Sequence, residues 1–119
     1  MSTPDFKTKT GFAFPGFKLA SLEAMHRELQ TDFGLTSDVI AEAASYSMAM
    51  VVRFALGLSA SGGKVCCLAK DSLAGLVALA TLRHLVNAGA EAQALLLLDT
   101  ELPSPELNRQ TKALAKLGV

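Results

Sequence analysis

The 119-residue sequence predicts an α/β protein: a three-layer α/β/α Rossmann-like unit built on a short, mostly parallel sheet. Three observations predict it. Val65 to Leu85, VCCLAKDSLAGLVALATLRHL, reads as a buried strand, a short turn and an apolar helix. Ala92–Leu98 is a near-continuous apolar run, the pattern of a parallel strand covered on both faces. The helix between the two strands makes them a βαβ pair, whose connection should cross over right-handedly.

The elements follow in order. Residues 1–17 carry four of the six phenylalanines, Phe6, Phe12, Phe14 and Phe17. Thr8 to Pro15 alternates loosely, so Phe12 and Phe14 would share one face of an extended arm that Pro15-Gly16 ends. Residues 18–119 then form a single domain. Leu19, Leu22, Met25 and Leu29 recur at helical spacing and draw one apolar stripe. Phe33-Gly34 closes that helix. Thr36 or Ser37 caps the next, with Asp38 in its first turn, and it runs to about Leu56. Val39, Ile40, Ala43, Met48, Val51 and Phe54 leave this second helix apolar almost all round, which predicts packing on several sides. Gly57 to Gly63 is a small-residue loop, and Lys64–Ala69 the first parallel strand. Asp71 or Ser72 caps a helix to about Asn87, stopped by Ala88-Gly89. After Ala92–Leu98, Ser104 caps a last helix with Pro105 at its first position, where a missing N–H costs nothing. Leu107, Leu114 and Leu117 line its core face.

Composition narrows the function. Half the residues are hydrophobic and 18% are charged, with a mean hydropathy of +0.35. That is rich for a free monomer and predicts apolar surface that meets a partner. Eleven acids balance eleven bases, so no basic excess drives nucleic-acid binding, and one tyrosine without tryptophan offers little stacking. MSTPDFKTKT lacks the apolar core of a signal peptide. Ala43–Val52 and Leu73–Leu82 are about half a membrane span. A cytoplasmic protein without membrane contact is expected. Cys66 and Cys67 are adjacent, so on a strand they point to opposite faces and read as small hydrophobes in a reducing compartment. No metal-ligand spacing is present. Gly57 to Lys64 misses the spacing of a phosphate-binding P-loop and precedes a strand instead of a helix.

Two or three strands between helix layers make a thin sheet with an open edge that the Phe-rich arm or another chain must cover. The chain ends at Gly118-Val119, where a third strand would begin. A homodimer, or a complex with a protein partner, is the expectation that follows.

The chain resembles the YjeF N-terminal domain family, known chiefly as NAD(P)H-hydrate epimerases. Lys18–Gly34 looks like the family's opening helix. Ile40-Ala41-Glu42-Ala43-Ala44-Ser45 is similar to its Leu-Met-Glu-x-Ala-Gly signature, with Glu42 and Ala44 retained. Arg83-His84-Leu85, followed by Gly89, matches its Arg-His-Leu-x-x-x-Gly. The resemblance covers nearly all of this chain but only the first half of the family domain. It departs at the ligand loop. The family's Gly-x-Gly-Asn-Asn-Gly-Gly-Asp-Gly stands here as Lys70-Asp71-Ser72-Leu73-Ala74-Gly75-Leu76-Val77-Ala78, with Gly75 alone surviving. Glycines let backbone N–H groups approach a phosphate, and leucine and valine do not. Asp71 would set a carboxylate where the phosphate belongs. The Asp-x-Pro-Ser-Gly segment that the resemblance associates with the catalytic acid has no counterpart, so catalytic residues stay unknown.

The resemblance therefore implies a degenerate, non-catalytic member acting by self-association or protein binding and needing no cofactor. Decapping scaffolds with a degenerate YjeF-like domain used for dimerisation are similar in this respect. The alternative is a nucleotide-binding, epimerase-like isomerase completed by a partner chain. That reading places an NAD(P)-type nucleotide near Asp71, Ser72, Gly75 and Asp99, the last at the strand end where dinucleotide binders hold ribose. Glu42, a carboxylate in an apolar helix, needs a partner and is a candidate retained or dimer-related site.

Overall fold

Alternation along Lys64–Lys70 and Glu91–Leu97 sets the architecture of the larger part of the molecule. A computed structural model describes residues 5–58, 63–99 and 101–119, so that residues 59–62 of the loop expected at Gly57–Gly63 lie outside the described residues. The chain divides into two units, Met1–Thr36 and Ser37–Val119.

In the first unit, β1 (Asp5–Lys7) pairs antiparallel with β2 (Ala13–Pro15), Phe6 opposite Phe14. The sequence pattern showed only the second of these strands. The turn closes on Thr8, whose carbonyl accepts the Gly11 N–H at 3.0 Å and whose hydroxyl oxygen accepts the Phe12 N–H at 3.0 Å. Phe12 thus lies in the turn rather than on the strand face expected for it. Helix α1 (Leu19–Thr31) carries the predicted apolar stripe, yet none of its residues is buried.

The second unit opens with α2 (Ser37–Met50), which runs into a π-helical turn at Val51–Ala55. Then come β3 (Lys64–Lys70), α3 (Leu73–Asn87), β4 (Glu91–Leu97) and α4 (Pro105–Lys116). β3 and β4 are parallel, with Val65 opposite Ala92, Cys67 opposite Ala94 and Ala69 opposite Leu96. This is the α/β arrangement with a parallel strand pair that the sequence predicts. α3 lies at its centre and contacts both strands, α2 and α4. Cys67 and Ala69 from β3, Leu76, Leu79 and Leu82 from α3, and Leu107 and Leu114 from α4 bury one core, with Ala41 of α2. Ala88 ends α3, and Gly89 follows at φ +97°, a left-handed backbone that glycine adopts without a Cβ clash.

Two expectations are altered by the packing. β4 was expected to be covered on both faces, but helices cover only the face carrying Val65, Cys67, Ala69, Ala92 and Leu96. On the opposite face Leu68, Leu95 and Leu97 stand 61%, 58% and 51% exposed. Likewise α2 is buried only along Ala41, Ser45 and Ala49, while Val39, Met48, Val51 and Phe54 are exposed. A seam of small residues four apart lets α2 approach α3 closely, and the larger apolar residues lie at other angles around the helix. Cys66 is exposed and Cys67 buried, as strand alternation requires, and burial pushes the Cys67 thiol pKa up. Among the described residues, no helix is long and apolar enough to cross a membrane.

Leu79 and Leu107 are fully buried. Leu79→Ala or Leu107→Ala should each cost about 2–5 kcal/mol in urea unfolding, through lost transfer energy and the cavity left behind. Leu56→Ala, at a position 74% exposed, should change stability by less than about 0.5 kcal/mol.

Candidate functional site

In a parallel α/β sheet, ligands bind beyond the carboxyl ends of the strands. Here that place holds Lys70 and Asp71 after β3, Asp99 after β4, and the N-termini of α3 and α4. Ser72 caps α3, its hydroxyl oxygen accepting the Gly75 N–H at 3.1 Å, so of the two expected caps it is Ser72 that serves. Asp71 turns away to α4. Its Oδ2 accepts the Ser104 N–H at 2.7 Å, and Ser104 Oγ lies 2.7 Å from Oδ1. The same Ser104 oxygen accepts the Leu107 N–H at 3.2 Å. The Ser104 hydroxyl therefore donates to Asp71 and accepts from the first turn of α4. These bonds, the side-chain one foremost, hold the Asp71 carboxyl below the usual aspartate range.

Gly75 has a different task from cradling phosphate. A Cβ built on it would lie 1.8 Å from the Lys70 carbonyl oxygen and 2.9 Å from its carbon. The first turn of α3 is pressed against the end of β3 at this point, the use that a dinucleotide fold makes of its last glycine for helix–strand packing. Asp99 is engaged as well, at 2.6 Å from Lys70 Nζ. The hydrogen bond to Asp99 raises the Lys70 pKa, although both side chains are largely exposed and the pair adds little stability. Asp71, Ser72, Gly75 and Asp99 thus do converge on the strand ends. Each of the polar three is bound to a neighbour of the same chain: Asp71 to Ser104, Ser72 to the Gly75 N–H and Asp99 to Lys70.

A second cluster joins α2 to α3. Glu42 Oε2 accepts from Arg83 Nη2, and Glu42 Oε1 lies 2.9 Å from His84 Nε2, at ion-pair distance but without hydrogen-bond alignment. The Arg83 and His84 side chains are each 23% exposed, and that of Glu42 47%. The Tyr46 ring meets His84 edge-on, centroids 5.8 Å apart. Val39, Glu42, Ala43, Tyr46 and His84 line a shallow depression here. Ser45 offers no nucleophile, because its hydroxyl donates to the Glu42 carbonyl at 2.8 Å within the helix. The partner that Glu42 needs is the basic pair of the Arg-His-Leu segment, 41 residues on, which spacing alone did not reveal. Among the described residues, no group of three or more His, Cys, Asp or Glu side chains could hold a metal ion.

No protein-family model matches the chain, and no curated protein matches it.

Three substitutions test this geometry. Ser104→Ala removes a helix cap together with the Asp71 partner and should cost about 1–2 kcal/mol. Asp71→Asn should destabilise most at neutral pH. Because the folded-state pKa of Asp71 is depressed, its contribution is complete above the ordinary aspartate value of about 3.9 and fades as pH falls through the lower, folded value. The two stability curves should therefore converge in acid. Glu42→Gln, at a half-exposed ion cluster, should cost about 1–2 kcal/mol in the same unfolding assay.

Proposed function

We propose that this chain is a degenerate YjeF N-terminal-like domain that acts by self-association or protein binding rather than by catalysis. The observation that carries this reading is the uncovered sheet face, where Leu68 lies opposite Leu95 and both, with Leu97, stand more than half exposed. A three-layer Rossmann-like unit buries both faces of its sheet, and here the second cover would come from a partner. Each exposed leucine forgoes roughly 1.5–3 kcal/mol relative to full burial, so covering this face rewards association. The filled strand ends agree with the reading. A nucleotide would have to displace Ser104 from Asp71 and Lys70 from Asp99, and would meet two carboxylates. The alternative, an epimerase-like enzyme completed by another chain, requires that rearrangement before any chemistry. A reducing, cytoplasmic setting suits two free thiols, one of them exposed.

Sedimentation velocity from micromolar to sub-millimolar protein tests self-association. The sedimentation coefficient should rise with concentration, and Leu68→Ser with Leu95→Ser should weaken the rise. A species that stays monomeric throughout contradicts self-association.

A further inference from the structure

We propose that the free edge of β4 pairs antiparallel with β4 of a second copy across a two-fold axis centred on Ala94, an inference that rests on the self-association reading above. The direction of the backbone groups comes first. The Glu91 N–H donates to the Gly63 carbonyl at 2.8 Å, so Glu91 faces β3. Strand alternation then turns Gln93, Leu95 and Leu97 toward β3 and leaves the N–H and C=O groups of Ala92, Ala94 and Leu96 on the outer edge. Among the described residues no other strand pairs with β4.

The charges select this edge. β3, KVCCLAK, has a lysine at each end, the residue that blunts exposed edges, and the residues whose backbone faces outward there include both lysines. β4, EAQALLL, carries one charge at its first position and none along its outward-facing residues. It is a seven-residue strand with leucines and no proline or lysine, the kind of edge that recruits another strand.

The occupant follows from self-complementarity. With the axis on Ala94, Ala92 lies opposite Leu96 of the second copy, Gln93 opposite Leu95, and Glu91 opposite Leu97. No like charges meet. A shift of the axis to Leu95 would set Glu91 against Asp99, which is unfavourable. In the Ala94 register Ala92, Ala94 and Leu96 all exchange backbone hydrogen bonds with the second copy. The result is a four-stranded sheet in which Leu95 of each copy lies beside Gln93 of the other, and whose bare face still carries Leu68, Leu95 and Leu97 of both copies for further association.

Ala94 is exposed, so replacing it leaves the core intact. On the axis its side chain would meet its own copy, with Cα atoms about 5.5 Å apart. Ala94→Lys and Ala94→Glu, each measured alone by sedimentation, should weaken the dimer at least about tenfold, which is 1.4 kcal/mol. Their equimolar mixture should restore it as a heterodimer. In the wild-type protein, the Ala92, Ala94 and Leu96 amides should exchange hydrogen more slowly as concentration rises. Dimerisation of both variants at wild-type strength, or failure of the mixture to recover, would overturn the β4 edge and leave self-association by another surface. Wild-type protein that remains monomeric would overturn both.

Discussion

The larger unit depends on one carboxylate that leaves its own turn. Asp71 stands between β3 and α3, yet it binds Ser104 through both oxygens, and Ser104 in turn caps α4. One hydroxyl thereby links two βα junctions that are 33 residues apart in sequence. It also fixes the start of the helix that delivers Leu107 and Leu114 to the core. The negative charge lies near the positive end of α4, where the helix dipole favours it. Gly75 belongs to the same arrangement, since only the absence of a Cβ lets α3 come down on the Lys70 carbonyl. Strand ends drawn together in this way keep their polar groups occupied by one another.

The rest of the unit is asymmetric around α3. On one side α3 lies over the sheet with large aliphatic residues. On the other it meets α2 through Ala41, Ser45 and Ala49, and the Glu42 carboxylate with Arg83 and His84 closes the margin of that seam. Arg109 adds a tie from α4 to Asp38 at the start of α2, Nε to Oδ2 at 2.9 Å. Three helices thus gather on the covered side of two strands, and the hydrophobic surplus of the composition emerges on the bare face. That imbalance leaves Leu68, Leu95 and Leu97 of the sheet open to solvent.

How much of this was legible in the sequence varies with range. The strand–turn–helix at Val65–Leu85, the second strand and the last helix were legible because period, cap and stop are local signals; Ser72, Ser104, Pro105 and Gly89 all sit where those signals placed them. Asp71 was legible as a charge hostile to phosphate, but its bond to Ser104 was not, since no local rule pairs residues so far apart. Glu42 was recognised as needing a partner, and its partner lay in the very segment that carries the Arg-His-Leu resemblance. The two segments behind the resemblance are two sides of one contact. The burial of α2 was misjudged because composition counts apolar residues, whereas close helix packing selects the small ones. The strand at Asp5–Lys7 carried too short a pattern to be seen.

An amide NMR titration with NADP and ADP-ribose tests most directly whether strand ends occupied by the chain's own side chains admit a nucleotide. With Asp71 held by Ser104 and Asp99 by Lys70, the resonances of Asp71, Ser72, Gly75, Asp99 and Ser104 should stay in place at millimolar ligand. Saturable shifts confined to those residues would contradict it, and would mean that Ser104 releases Asp71 to admit a phosphate.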